Sequence, residues 1–477
     1  MKAEFSPYLS GIADGMKKFI AILNKSFDYV SVLSTDSIGW RMSVSKRVAN
    51  ITNRTMTTER GNVVRVCKDG LYSEYSFNEF DPENPEKTAD LVNKALLAQF
   101  ALIKATGTEV YKTGVLSDEP CTLFTEFATE ETPEGCDEDK VMAVLSATRD
   151  KVLSLEPSIL EVFVNAQSTH ISKMFLTANR DMRQSYVYSE GMIVPVMNAG
   201  GKNVMSYNGK SGRVGPELFN ELTELAEDAV KNTKALCNAK PVEPGVYDVI
   251  TAPEVTGLIA HEAFGHGVEM DMFVKDRALG AKYIGKRVGS DMVTMHEGAK
   301  CAVDVTSYAF DDEGTLAGDV TEIDHGILKT GICDALSALR LGTKPTGNGK
   351  RENFEHKVYT RMTNTVFDSG DSTLDEMIAS IKSGYLLKGM ASGMEDPKHW
   401  GIQCLVECGL EIKDGELTGN IVAPIVMTGY VPDLLGSVSM CSKDREVFGN
   451  GGCGKGYKEW VKVSDGGPYL KARARLG

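Results

Sequence analysis

This chain of 477 residues has little that would place it outside a reducing, aqueous compartment. Its N-terminal apolar run, Phe19 to Leu23 after Lys17 and Lys18, is too short for a secretory leader and far too short to span a bilayer. Ten cysteines are scattered with no CxxC pair and no dense framework. That pattern excludes a disulfide scaffold and predicts free thiols in the cytoplasm. An excess of basic charge is also missing: the net charge is -14, which argues against a nucleic-acid-binding surface. It leaves basic or neutral peptides open as ligands. No repeat of 20–50 residues and no low-complexity tract is visible. Histidine is scarce, with seven in the chain, and two of those seven stand five residues apart.

What is present is ordinary for a globular protein, with 42% apolar and 25% charged residues and length enough for two or three domains. In the first half, spacing predicts helices over 84–105, with Leu91, Ala95, Ala98 and Leu102 as its apolar positions, and over 138–153, with Val141, Val144, Leu145, Thr148 and Val152 on one face. Alternating stretches at 160–165 and 172–178 predict antiparallel strands. A long amphipathic helix is predicted from Pro216 to Leu236, carrying Leu218, Leu222, Leu225 and Ala229. Two prolines and a glycine in Lys240-Pro241-Val242-Glu243-Pro244-Gly245 then stop any regular element. The expected domains are therefore 1–238 and 239–477. The second half reads as strands at 246–250, 301–309, 326–332, 404–412 and 421–428, with one helix near 373–382. The fold expected is α+β: an N-terminal α/β domain with an antiparallel sheet, then a β-rich domain that carries the chemistry.

The chemistry centres on His261-Glu262-Ala263-Phe264-Gly265-His266, an HExxxH cluster in a helical segment. Two imidazoles beside a carboxylate suit a catalytic zinc with an activated water. The spacing is unusual. Histidines at i, i+4 lie about 40° apart on an α-helix, whereas i, i+5 puts them about 140° apart, too far round to grip one ion. A π-bulge or a helix end is therefore required, and Gly265 and Gly267 would permit either. A third ligand is also required. Cys453 is the strongest candidate, set among five glycines in Gly449-Asn450-Gly451-Gly452-Cys453-Gly454-Lys455-Gly456. Other carboxylates or cysteines remain open on spacing alone.

Gly449 through Lys455 also fits most of a phosphate-cradling loop. Gly456 stands where Ser or Thr should hold magnesium, and Tyr457 to Val463 alternates like a strand rather than opening a helix. Cys404 and Cys408 read as two core thiols. His296, His325, His356 and His399 each stand alone. Asp311-Asp312-Glu313 reads as a solvated turn, with a supporting role at the metal as the sharper alternative.

The stretches His261 to Gly267, Phe310-Asp311-Asp312-Glu313-Gly314-Thr315, Pro345 to Gly349, Arg361 to Thr365 and Cys453-Gly454-Lys455 together resemble the TldD/PmbA family of metallopeptidases, in its metal-bearing TldD-type subunit. The resemblance covers most of the chain from Val246 onward. It implies zinc on His261, His266 and Cys453, Glu262 as the catalytic base, and a barrel-like C-terminal domain. It also implies a cytoplasmic protease of unfolded or small modified peptides, working as a homodimer or as a heterodimer with a metal-less PmbA/TldE-type subunit. No nucleic acid and no membrane enter this reading. The rival reading is a non-catalytic regulatory subunit of modulator type.

Overall fold

Long alternating strands decide the architecture of the first half. The computed structural model describes every residue except 49–50, 56, 108–110 and 457–458, with the side chain of Ile51 also left out. Among the described residues, nine strands form one sheet whose spine runs Leu71–Phe77, Glu59–Lys68, Tyr29–Ser45, Glu161–Leu176, Arg180–Ala199 and Cys121–Glu126. All these neighbours are antiparallel except the last pair. Successive side chains point to opposite faces, so one parity of each strand meets helices. Val30 and Val32 pack on the helices Pro7–Leu23 and Pro85–Ala105. Trp40, Met42 and Val44 pack on Glu138–Leu155 and on the segment from Pro216 to Leu236. The other parity, including Thr35, Lys173 and Tyr186, faces loops from the second half.

The second half closes into a barrel. Gly245–Thr251 lies parallel to Ser383–Asp396, which pairs with Gly401–Lys413, then Ile425–Tyr430, then Ser464–Leu476, and that last strand returns to Gly245–Thr251. Closure leaves no free edge around most of the ring. The helical segment that follows Gly245–Thr251 starts at Pro253, whose fixed backbone suits a first helical turn. Its residues Leu258, Ile259, Ala263 and Phe264 share one core with the inward-facing Leu387, Cys404, Met427 and Ala472. The barrel thus holds the histidine-bearing segment by its apolar face. No helix among the described residues is long and apolar enough to cross a membrane.

Several expectations shift in detail. The 84–105 helix forms as Pro85–Ala105, but it turns the other way: Ala89, Val92, Leu96 and Phe100 are buried, while Leu91 and Leu102 are exposed. The helix carries two apolar stripes, and the bulkier one wins the contact with Pro7–Leu23. The strands at 160–165 and 172–178 are two ends of one, Glu161–Leu176. The helix from Pro216 begins as 3₁₀ and becomes α only at Ala226. Residues 301–309 form turns rather than a strand. There the Ser307 hydroxyl accepts from the Asp304 backbone, an alternative to a sheet ladder. The 326–332 strand shrinks to Ile327–Leu328, and 421–428 splits into the ends of Glu416–Val422 and Ile425–Tyr430. The 373–382 helix is Leu374–Ala379, started by a Thr373/Glu376 capping box. Tyr457 and Lys458 lie outside the described residues, and the strand expected there runs over Glu459–Lys462.

Candidate metal centre

The two histidines meet because the helix changes its winding between them. Pro253–Leu258 is α-helical, Ile259–Gly265 is a π-turn, and His266–Val268 tightens to 3₁₀. The His266 backbone N–H donates to the carbonyl of His261, the i→i+5 bond of π geometry. That register stacks i on i+5 much as an α-helix stacks i on i+4. The rings end with centroids 5.1 Å apart. Of the two routes the glycines were expected to permit, the π-turn forms and the left-handed helix end does not, since Gly265 keeps ordinary helical angles. A side chain at Gly265 would lie 2.2 Å from Sδ of Met362, and one at Gly267 would lie 2.4 Å from Oε1 of Glu395. Close packing, not helix termination, demands glycine here.

Cys453 arrives on a short hairpin, Gly452–Lys455 paired with Glu459–Lys462. Three anchors fix it. The buried guanidinium of Arg361 donates to the carbonyl of Cys453 at 2.6 Å and to that of Glu459 at 3.1 Å. Asn450 donates its amide to the carbonyls of Gly191 and Lys210, both on the N-terminal sheet. Lys455 donates to Asp271 at 2.8 Å and to the Thr360 carbonyl at 3.0 Å, and pairs with Glu269 at 3.0 Å. The lysine that resembled a phosphate binder is thus committed to carboxylates.

His261, His266 and Cys453 offer ligand atoms that all lie within 4.8 Å of one another. Among the described residues no other cluster of three or more His, Cys, Asp or Glu does so. Cys453 Sγ is 3.3 Å from Nε2 of His266, whose other nitrogen, Nδ1, is 3.0 Å from Glu269. A carboxylate on the far nitrogen fixes the ring and leaves Nε2 for the centre, an arrangement typical of metal-binding histidines. Nδ1 of His261 is buried with no hydrogen-bond partner. Burial alone would push the Cys453 thiol up, but His261 and then His266 outweigh it and bring it down to about 4. Burial pulls both imidazoles down, and the Cys453 thiolate outweighs that, so both end above their ordinary range. The pocket therefore favours positive charge at its centre and holds its sulfur as a thiolate. Two imidazoles and one thiolate are a donor set that suits zinc.

Glu262 Oε2 lies 3.9 Å from Nε2 of His266, and its side chain opens into a cleft of about 910 Å³. The far wall is the strand Ser383–Asp396, which passes so close that a side chain at Gly393 would sit 2.5 Å from Cγ of Glu262. Sequence reasoning missed Glu269, although a carboxylate three residues after His266 was a readable signal. It also missed Arg361 and Asp465 as neighbours of the site. Burial pushes the carboxyl of Asp465 up to about 7, and nothing local in the sequence marks it. Asp311, Asp312 and Glu313 are no solvated turn: all are buried, and Asp312 and Glu313 pair with Lys173 and Arg65 of the N-terminal sheet. His296, His325, His356 and His399 stay apart from the centre, each beside carboxylates of its own.

Residues 244–473 match the family model described as the PmbA/TldA metallopeptidase C-terminal domain. A metalloprotease of Methanocaldococcus jannaschii is 35% identical over 252 residues, which are 53% of this chain and 55% of that one. A zinc metalloprotease TldD homolog of Saccharolobus solfataricus is 32% identical over 48% of this chain and 51% of its own. The matched region thus spans about half the length of these relatives. A Thermotoga maritima structure described as a modulator of a DNA gyrase shares the fold, with TM-score 0.75 at 16% identity over 98% of this chain and 100% of that one.

Proposed function

We propose that this chain, which belongs to the PmbA/TldD family, is a zinc-dependent peptidase of the TldD type acting on unfolded or small modified peptides. The observation that carries this reading is the convergence of His261, His266 and Cys453 in a cleft wide enough for a peptide, with Glu262 beside them. Zinc held by those three residues would supply Lewis acidity toward a carbonyl and toward water. Glu262 would take the water proton on Oε2 and pass it to the leaving amine. Glu269 keeps Nδ1 of His266 occupied, so that ring presents only Nε2 to the centre.

The substrate backbone has an edge to bind. Ser383–Asp396 pairs with Gly245–Thr251 only as far as Leu387. Met390 to Glu395 lie beyond that pairing and line the cleft. An extended peptide added there as a strand would pass Glu262 at the level of Gly393, bound largely through main-chain hydrogen bonds and so with wide tolerance of side chains. All ten cysteines are free thiols, which supports a cytoplasmic protein. A homodimer, or a heterodimer with a metal-less PmbA/TldE-type subunit, completes the proposal. Light scattering on the protein alone and mixed with such a subunit tests it.

The likeness to a protein described as a gyrase modulator keeps a regulatory role as the rival. That role gives no use to a buried thiolate between two imidazoles. Elemental mass spectrometry of the purified protein separates the two: near-stoichiometric zinc, lost in His261→Ala, supports the peptidase. Glu262→Gln should then retain zinc and lose about 10²–10⁴-fold in kcat on a peptide library. Absence of zinc after reconstitution, or cleavage by Glu262→Gln at the unaltered rate, would overturn the mechanism.

A further inference from the structure

The cleft is chemically lopsided along its length. At the end where Met390 approaches Gly451 it is apolar, with Met390 and Trp460 on its walls, and Trp460 is 56% exposed. At the other end, beside Pro397, it is lined by Lys275 and Arg277. The backbone holds that second end in place. The helix Met270–Val274 finishes in a turn where the Arg277 N–H donates to the Met272 carbonyl at 2.9 Å. The Leu279 N–H donates to the Pro397 carbonyl at 2.8 Å and so hooks the turn to the end of the edge strand. Asp276, between the two cations, stands at φ 51°, the left-handed residue of the cap that ends this helix, with its own N–H donating to the Phe273 carbonyl at 3.0 Å.

Most of the charges around this end are already paired. Lys455 is engaged by Glu269 and Asp271, and Lys275 by Asp271 at 3.1 Å. Arg277 has no ion-pair partner among the described residues, and it is exposed to the cleft. A planar guanidinium left free at the end of a peptide-sized groove suits a carboxylate, which it can bind through two parallel hydrogen bonds. At the opposite end Met390 and Trp460 form the walls; beyond Trp460, Lys462 is paired with Glu190 at 2.8 Å and Arg41 donates to Gln167 at 2.7 Å.

Resting on the peptidase reading above, we infer that this enzyme selects peptides carrying a carboxylate a few residues from the scissile bond, held by Arg277 with Lys275 beside it. The carboxylate is either the peptide's own C-terminus or an acidic side chain. A C-terminal anchor would make the enzyme trim short pieces from peptide ends, whereas a side-chain anchor would make it an endopeptidase with acidic preference.

The probes are fluorescein-labelled decapeptides of one neutral sequence, each made as C-terminal acid and C-terminal amide, and a second set with a single Glu or Gln moved along the chain. Binding is read by fluorescence anisotropy on zinc-loaded Glu262→Gln protein, and kcat/KM on unaltered protein. The expected result is at least about tenfold preference for one anionic form over its neutral isostere, the scale of one charge-assisted hydrogen bond. Arg277→Gln should abolish that ratio, Arg277→Lys should keep part of it, and raised salt should weaken it. Preference for the acid over the amide identifies the C-terminus; preference for Glu over Gln identifies a side chain. A ratio that survives Arg277→Gln, or no preference and no binding by any acidic peptide, overturns the inference. If anionic peptides bind preferentially yet none is cleaved, the peptidase reading falls and the recognition stands.

Discussion

Cys453 and Glu269 show how differently two neighbours can serve one centre. Cys453 supplies the thiolate itself, brought down to about 4 by the two imidazoles against the cost of burial. Glu269 supplies nothing to the centre directly; it holds Nδ1 of His266 at 3.0 Å and shares Lys455. Its own carboxyl, which burial would raise, is brought down to about 2 by Lys455 and then His266, so it remains an acceptor. Zinc affinity measured by chelator competition should separate the roles. Glu269→Gln keeps an acceptor oxygen but loses the charge, and should weaken zinc by about 10–100-fold, the usual effect of disturbing a ligand's support. Cys453→Ser removes a ligand and should weaken it further than Glu269→Gln does. Equal affinities in the two variants would mean that Cys453 is not a ligand.

Strands and helices are where sequence patterns proved most and least legible. The i, i+5 spacing of His261 and His266 required a break in α geometry, and the π-turn over Ile259–Gly265 is that break. The helix over Pro85–Ala105 was legible in extent but not in orientation, because two apolar stripes compete and only tertiary contact with Pro7–Leu23 chooses between them. Residues 301–309 misled for a related reason: Val305 and Tyr308 are apolar because they pack on Tyr186 and Tyr188 of the N-terminal sheet, not because they alternate in a strand. Gly393 carried no readable signal, since its meaning lies in an element 131 positions away in sequence. The strand can pass Glu262 only while it lacks a side chain there. Gly393→Ala should therefore displace the Glu262 carboxyl and lower kcat by up to about 10²-fold, as small misplacements of reacting groups do. Zinc content should stay unchanged. A variant with normal kcat would show that Glu262 tolerates the shift or is not the base.

The two halves of the chain are joined by buried charge, which is why Asp311-Asp312-Glu313 looked like a surface turn and is not one. Arg65 of the N-terminal sheet pairs with Glu74 on the neighbouring strand and with Glu313 from the second half. Glu74 in turn takes two hydrogen bonds from Arg351, at 2.9 and 2.6 Å, and Lys173 reaches Asp312. A buried charge is costly unless paired, so acidic residues whose partners lie more than a hundred positions away cannot be told from solvated ones by local pattern. The pairing gives the assembly an acid limit that can be measured. Burial would raise the carboxyl of Glu74, but Arg65 and then Arg351 bring it down to about 2. A carboxyl depressed on folding stabilises above its unfolded value, near 4.5, and that stability is lost as pH falls from there toward 2. Glu74→Gln should be less stable than the unaltered protein at pH 6, because Arg65 and Arg351 lose their shared anion. Between pH 6 and pH 3 the difference in unfolding free energy, measured in urea, should narrow by about 1–2 kcal/mol as Glu74 of the unfolded chain takes up a proton that the folded protein does not bind until lower pH. A difference that stays constant across that window would mean that Glu74 does not hold the halves together through its charge.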